Sequence, residues 1–82
     1  MSKIIMITGA SSGFGKACAE YLAEQGHRVY GTSRAAQFPQ GPIEDAQPLL
    51  LPMDVCCEKS VQEAVNFLLA REGYIDVVVN NA

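Results

Sequence analysis

No run of Lys or Arg occurs anywhere in the sequence, and the formal net charge is −3. A nucleic-acid or anionic-membrane surface needs clustered cations, so neither partner is expected. No apolar stretch approaches the roughly 20 residues of a membrane-spanning helix. The run Ile4 to Ile7 is too short for the core of a signal peptide. A soluble, cytoplasmic protein is the expectation. Cysteine is scarce: Cys18, Cys56 and Cys57 make an odd count with two adjacent, which is no disulfide framework. They read as small thiols in a reducing compartment, and no metal site is expected. Charge is modest at 18%, against 49% hydrophobic residues, a globular rather than a disordered composition. Length allows one small domain at most.

What is present alternates between two periodicities. Lys3 to Thr8 is a near-continuous, β-branched apolar run, as in a parallel strand covered on both faces. Turn residues Gly9 to Gly13 follow. Phe14, Ala17, Cys18, Tyr21 and Leu22 then fall on one helical face, with Lys16, Glu20 and Glu24 opposite, and Gly26 stands where a left-handed stop is needed. His27 to Thr32 reads as a second strand, residues 33–47 as a loop, and Pro48 to Met53 as a third strand. Pro52 cannot donate to a ladder, so that strand belongs at a sheet edge. A second helix covers about Glu58 to Glu72. It begins either with the capping-box spacing of Ser60 and Glu63 or a turn earlier, at Cys57. Its face is Val61, Ala64, Val65, Leu68 and Leu69, and Gly73 ends it. Tyr74 to Val79 is the fourth strand. The order predicts an α/β fold, a partial Rossmann arrangement with a four-stranded parallel sheet in the order 3-2-1-4 and two main helices.

Thr8-Gly9-Ala10-Ser11-Ser12-Gly13-Phe14-Gly15 joins the first strand to the first helix. Gly9 permits a sharp exit from the strand, Gly13 lets main-chain amides approach a pyrophosphate, and Gly15 lets the helix pack close. The unpaired amides and positive end of the helix then face the phosphates. The spacing differs from G-x-G-x-x-G, and no G-K-[ST] follows, so this is not a P-loop.

This segment resembles the glycine motif of the classical short-chain dehydrogenase/reductase family. Met53-Asp54-Val55 is similar to that family's acidic position after strand three, where the Asp contacts adenine. Val77 to Ala82 is similar to its N-N-A-G motif, stopping one residue short. The resemblance implies a nicotinamide dinucleotide cofactor bound by Gly9, Ser11, Ser12, Gly13, Phe14, Gly15, Ser33, Arg34, Asp54, Val55, Asn81 and Ala82. Asp54 could instead be a solvated carboxylate at a strand end, and Asn80 could hold strand ends together. NAD-preferring relatives carry an acidic residue after strand two; here Thr32-Ser33-Arg34 stands there. Arg34 could pair with a 2′-phosphate, with Ser11 and Ser33 adding donors. NADP(H) is the expected cofactor, with NAD(H) the alternative. Ser12 stands where many NADPH-preferring relatives have a second basic residue.

The resemblance also implies a Tyr–Lys acid–base pair in Y-x-x-x-K spacing, helped by a Ser. Four residues beyond Tyr21, Tyr30 and Tyr74 stand Gln25, Arg34 and Val78, so none forms the pair. All three tyrosines read as packing residues, and His27 as a surface residue at the strand end opposite the phosphate turn. No catalytic residue is expected within 1–82. The segment reads as the amino-terminal, cofactor-binding part of an oxidoreductase for a small carbonyl or alcohol, inactive alone, left by an incomplete gene, a truncation or proteolysis. The full-length relatives are commonly homo-oligomers. The alternatives are a non-catalytic nucleotide-binding module, or an interaction protein using an open strand edge.

Overall fold

Four strands and two helices alternate along the chain in a computed structural model that describes residues 2–39 and 48–81. They are β1 (Ile4–Ile7), α1 (Gly13–Glu24), β2 (Arg28–Ser33), β3 (Leu49–Pro52), α2 (Glu58–Glu72) and β4 (Val77–Val79). All strands are parallel, in the order β3-β2-β1-β4, as the alternating pattern predicted. β1 is central and pairs Ile5 with both Val29 and Val77. Pro52 lies at the end of edge strand β3, opposite Ser33, where a missing N–H is tolerated.

The apolar run of β1 is explained by two cores. Ile4 and Met6 pack with Tyr30, Leu51, Met53, Ala64 and Leu68, beneath α2. Ile5 and Ile7 pack with Ala10, Ala19 and Val29, beneath α1. Alternate side chains thus enter opposite layers, and neither face of the strand meets water.

The helices obey the pattern unevenly. In α2, Ala64 and Leu68 are buried and Val61 and Val65 half-buried, while Leu69 is exposed. The helix begins after Cys57, the earlier of the two expected starts, and Cys57 makes no side-chain capping bond. Gly73 ends it with φ 85°, the left-handed stop that its sequence position requires.

The face expected of α1 is corrected. Gly15 and Ala19 are its buried residues, with Cys18, Leu22 and Ala23 packed partly against the core. Phe14 is 76% exposed and Tyr21 61% exposed. The helix lies so close to the sheet that only small side chains are fully buried beneath it, Leu22 packs at the margin, and the two aromatic groups are turned outward. Of the three tyrosines assigned to packing, only Tyr30 is buried; Tyr21 and Tyr74 are exposed. Strand limits also shift. β2 extends to Ser33, β3 is trimmed to Leu49–Pro52, and β4 is confined to Val77–Val79. Part of the expected loop, residues 40–47, and Ala82 lie outside the described residues.

Candidate functional site

The carboxyl ends of the strands are brought level by the parallel register, and the turn after β1 stands among them. Gly9 and Gly13 have φ 65° and 61°, conformations costly for a residue with a side chain. Gly15 is held by proximity instead. A Cβ there would lie 2.3 Å from the Gly9 carbonyl oxygen and 2.5 Å from Asn81 Nδ2. The start of α1 therefore sits directly on the backbone of the turn.

Thr8 ties that turn to β4. Its main-chain N–H donates to the Val79 carbonyl at 3.0 Å. Its hydroxyl accepts from the Asn81 N–H at 2.8 Å and lies 3.1 Å from Asn80 Oδ1. Asn81 Nδ2 donates to the Gly9 carbonyl at 3.2 Å. On the other side, the Ala10 N–H donates to the Thr32 carbonyl at 2.9 Å. The turn is thus stapled to both neighbours of β1, while Ser11, Ser12, Gly13 and Phe14 face solvent. Ser12 makes no side-chain cap, and the first turn of α1 carries no acidic residue. A helix start of this kind can receive an anion on its leading amides and positive dipole end.

Beside the turn opens a groove of about 570 Å³, with Gly9 and Ser11 on one side, Ser33 and Arg34 at the end of β2, and Asp54 and Val55 beyond β3. Six of the sequence-derived site residues meet there. Ser12, Gly13, Phe14 and Gly15 lie at the neighbouring helix start outside its lining, and Asn81 lies on the β4 side of the turn. Arg34 is exposed, and no carboxylate precedes it in β2. The Ser33 hydroxyl accepts the Ala35 N–H at 3.2 Å, which fixes the bend that carries Arg34. Asp54 is half-buried, and its Oδ1 accepts the Cys56 N–H at 3.0 Å.

The model of the family described as short chain dehydrogenase matches residues 3–82. The chain belongs to the short-chain dehydrogenase family. It is 48% identical over 80 residues to a 3-ketodihydrosphingosine reductase of Bacteroides thetaiotaomicron, covering 98% of this chain and 28% of that protein. It is 34% identical over 85 residues to an NADPH-dependent pterin aldehyde reductase of Arabidopsis thaliana, covering 99% of this chain and 35% of that protein. Among solved structures, a Brucella melitensis 3-ketoacyl-(acyl-carrier-protein) reductase complexed with NADH superposes with a TM-score of 0.80 at 31% identity, covering 98% of this chain and 34% of that one. The chain thus spans about a third or less of the length of these relatives.

Several residues not expected as cofactor contacts from the sequence belong to the same region of this short-chain dehydrogenase family member. Thr32, Ala35, Met53 and Cys56 also line the groove. Gly31 admits the turn to the sheet: a Cβ there would lie 2.6 Å from that of Ala10. A glycine inside a strand is the signal that could have found it. At the opposite end of the sheet, Arg28 Nε donates to Glu72 Oε2 at 2.7 Å, and the Tyr30 hydroxyl donates to the same oxygen. The Arg71 guanidinium lies 5.9 Å from the Tyr30 ring centroid. Burial and the Glu72 hydrogen bond hold the Tyr30 hydroxyl above its ordinary value. Burial works to raise the Glu72 carboxyl, but hydrogen bonds from Tyr30 and Arg28, with the charges of Arg28 and Arg71, bring it below its ordinary value. Forty-four residues separate Arg28 from Glu72, and no local pattern announces the pair. Being remote from the groove, it holds α2 to the sheet.

Proposed function

We propose that residues 1–82 form the cofactor-binding part of an NADP(H)-dependent oxidoreductase that moves hydride between nicotinamide and a carbonyl or alcohol substrate. The carrying observation is the groove that sets Ser11, Ser33 and Arg34 together at the ends of β1 and β2, with no carboxylate at that strand end. A 2′-phosphate there would meet a guanidinium with paired donors and two hydroxyls. An acidic residue at position 34 would instead favour a ribose 2′-hydroxyl and repel the phosphate.

The chain's own residues account for the remaining cofactor contacts. Exposed amides at the start of α1 receive the pyrophosphate, and the tight seat of Gly15 on Gly9 fixes their direction. Val55, half exposed at 49%, offers an apolar surface for the adenine ring, and Asp54 an acceptor for its amino group. Asn81, tethered through Thr8 and Gly9, marks where the dinucleotide passes the tip of β4. The bound nicotinamide supplies the hydride chemistry. Residues 1–82 contain no Y-x-x-x-K pair, so carbonyl activation falls to residues outside this segment. Reduction of a ketone or aldehyde is favoured by the relatives, two of which are named as reductases of such compounds.

Titration of the polypeptide that carries residues 1–82 with NADPH and with NADH tests this reading. NADPH should bind at least about tenfold more tightly, a difference of ~1.4 kcal/mol, and Arg34→Asp should reverse the order. Tighter binding of NADH by the unaltered protein would overturn the cofactor assignment.

A further inference from the structure

The loop between β3 and α2 is organised around Asp54. Its carbonyl accepts the Cys57 N–H at 2.9 Å, closing a turn. Its Oδ1 accepts the Cys56 N–H at 3.0 Å. Its own N–H donates to the Ser60 hydroxyl oxygen at 2.9 Å. The residue before it, Met53, donates its N–H to the Ser33 carbonyl at 3.1 Å. Among the described residues Asp54 Oδ2 accepts no hydrogen bond. It is the oxygen left for a donor on a ligand in the groove that Asp54 lines.

Ser60 is the third residue of α2, half-buried and followed by the buried Ala64 and the half-buried Val61, both packed in the core beneath the helix. A hydroxyl in a helix's first turn ordinarily competes for the helix's own backbone. This one reaches six residues back, out of the helix, to a main-chain donor that would otherwise be half-buried and unsatisfied. The packing of α2 on the sheet thereby reaches the peptide plane that aims the Asp54 side chain.

We propose that Ser60 is a positioning residue for recognition of the adenine amino group, holding the Asp54 backbone so that its carboxylate stands at the groove wall. This rests on the groove being a dinucleotide site. Ser60 touches no cofactor and acts only through Asp54. Removing its hydroxyl frees the Met53–Asp54 peptide to rotate and lets Oδ2 leave the orientation an exocyclic amine requires.

A double-mutant cycle on the polypeptide that carries residues 1–82, read by NADPH fluorescence titration, tests the proposal. Ser60→Ala should raise the NADPH Kd about threefold to tenfold, the worth of one oriented hydrogen bond, and Ser60→Thr, which keeps the hydroxyl, should restore it. In an Asp54→Ala background the further loss from Ser60→Ala should vanish, because the route runs through a carboxylate already gone. An unchanged Kd in Ser60→Ala, or the same fold loss with and without Asp54, would overturn it. If the alanine variant fails to fold, Ser60→Val against Ser60→Thr repeats the comparison at constant shape. An unaltered protein that binds neither NADPH nor NADH would sink the function proposed above rather than the Ser60 coupling alone.

Discussion

A methyl group at position 15 would stand 2.3 Å from the Gly9 carbonyl oxygen, and that oxygen belongs to backbone stapled on both sides. It cannot step aside as a side-chain tip would. Gly15→Ala should therefore displace the start of α1 from the turn and lower NADPH affinity at least about tenfold, since misdirected amides lose charge-assisted bonds to phosphate. Calorimetric or fluorescence titration of the variant checks this. Unaltered affinity would show that these amides do not hold the phosphates. At the far end of the sheet, Glu72→Ala removes the acceptor of the buried Tyr30 hydroxyl. It should cost about 1–3 kcal/mol, the penalty of leaving a buried donor without its acceptor, measurable by urea denaturation. The same group gives a pH signature. The lowered Glu72 carboxyl contributes stability that is present above the ordinary carboxylate range and lost as pH falls through its folded value. The raised Tyr30 hydroxyl contributes stability that is present below the ordinary tyrosine range and lost as pH rises through its folded value. The variant's urea midpoint should fall less than that of the unaltered protein on acidification.

Between elements, the two helices differ in how plainly they declare themselves. α2 ends on Gly73, where φ is 85° and an added Cβ would touch nothing within 4 Å. The cost of Gly73→Ala is therefore conformational only, about 1 kcal/mol, or a fall in Tm of about 4–8 °C for a domain of this size. Thermal denaturation should show it, and no change would mean that the stop is not under strain. In α1 the apolar pattern contains two overlapping stripes. Of the expected face, Cys18 and Leu22 pack against the core, while Phe14, Ala17 and Tyr21 are exposed and the sheet accepts Gly15 and Ala19. Close approach of helix to strand selects by volume, and a periodicity argument that counts hydrophobicity alone rotates the helix part of the way off its buried face.

Across the whole molecule the apolar surface is unevenly covered. β1 is enclosed in two cores, yet β4 pairs on one side only among the described residues, with Val77 38% and Val78 57% exposed. Phe14 and Tyr21 add exposed apolar area on α1. An open edge of this kind invites pairing with another strand. Residues 1–82 as a separate polypeptide should associate as concentration rises through the micromolar range, and Val78→Lys should suppress the association. Sedimentation velocity measures both, and a concentration-independent monomer would contradict the expectation.

Strand order, the edge place of Pro52 and the glycine turn were legible because each rests on local chemistry: a β-branched run, a missing N–H, small residues between two elements. Asp54 and Arg34 were singled out through the family resemblance, and the structure places both in the lining of one groove. The Arg28–Glu72–Tyr30 cluster, the seat of Gly31 under Ala10, the outward turn of Phe14 and Tyr21 and the hold of Ser60 on Asp54 were not. These depend on how closely distant segments approach, and that distance is set only when two helices close on opposite faces of one sheet. The sequence by itself determined which elements form and in what order. The tertiary structure decided which faces they bury, because the volume between packed backbones is a property of the assembly and of no single segment.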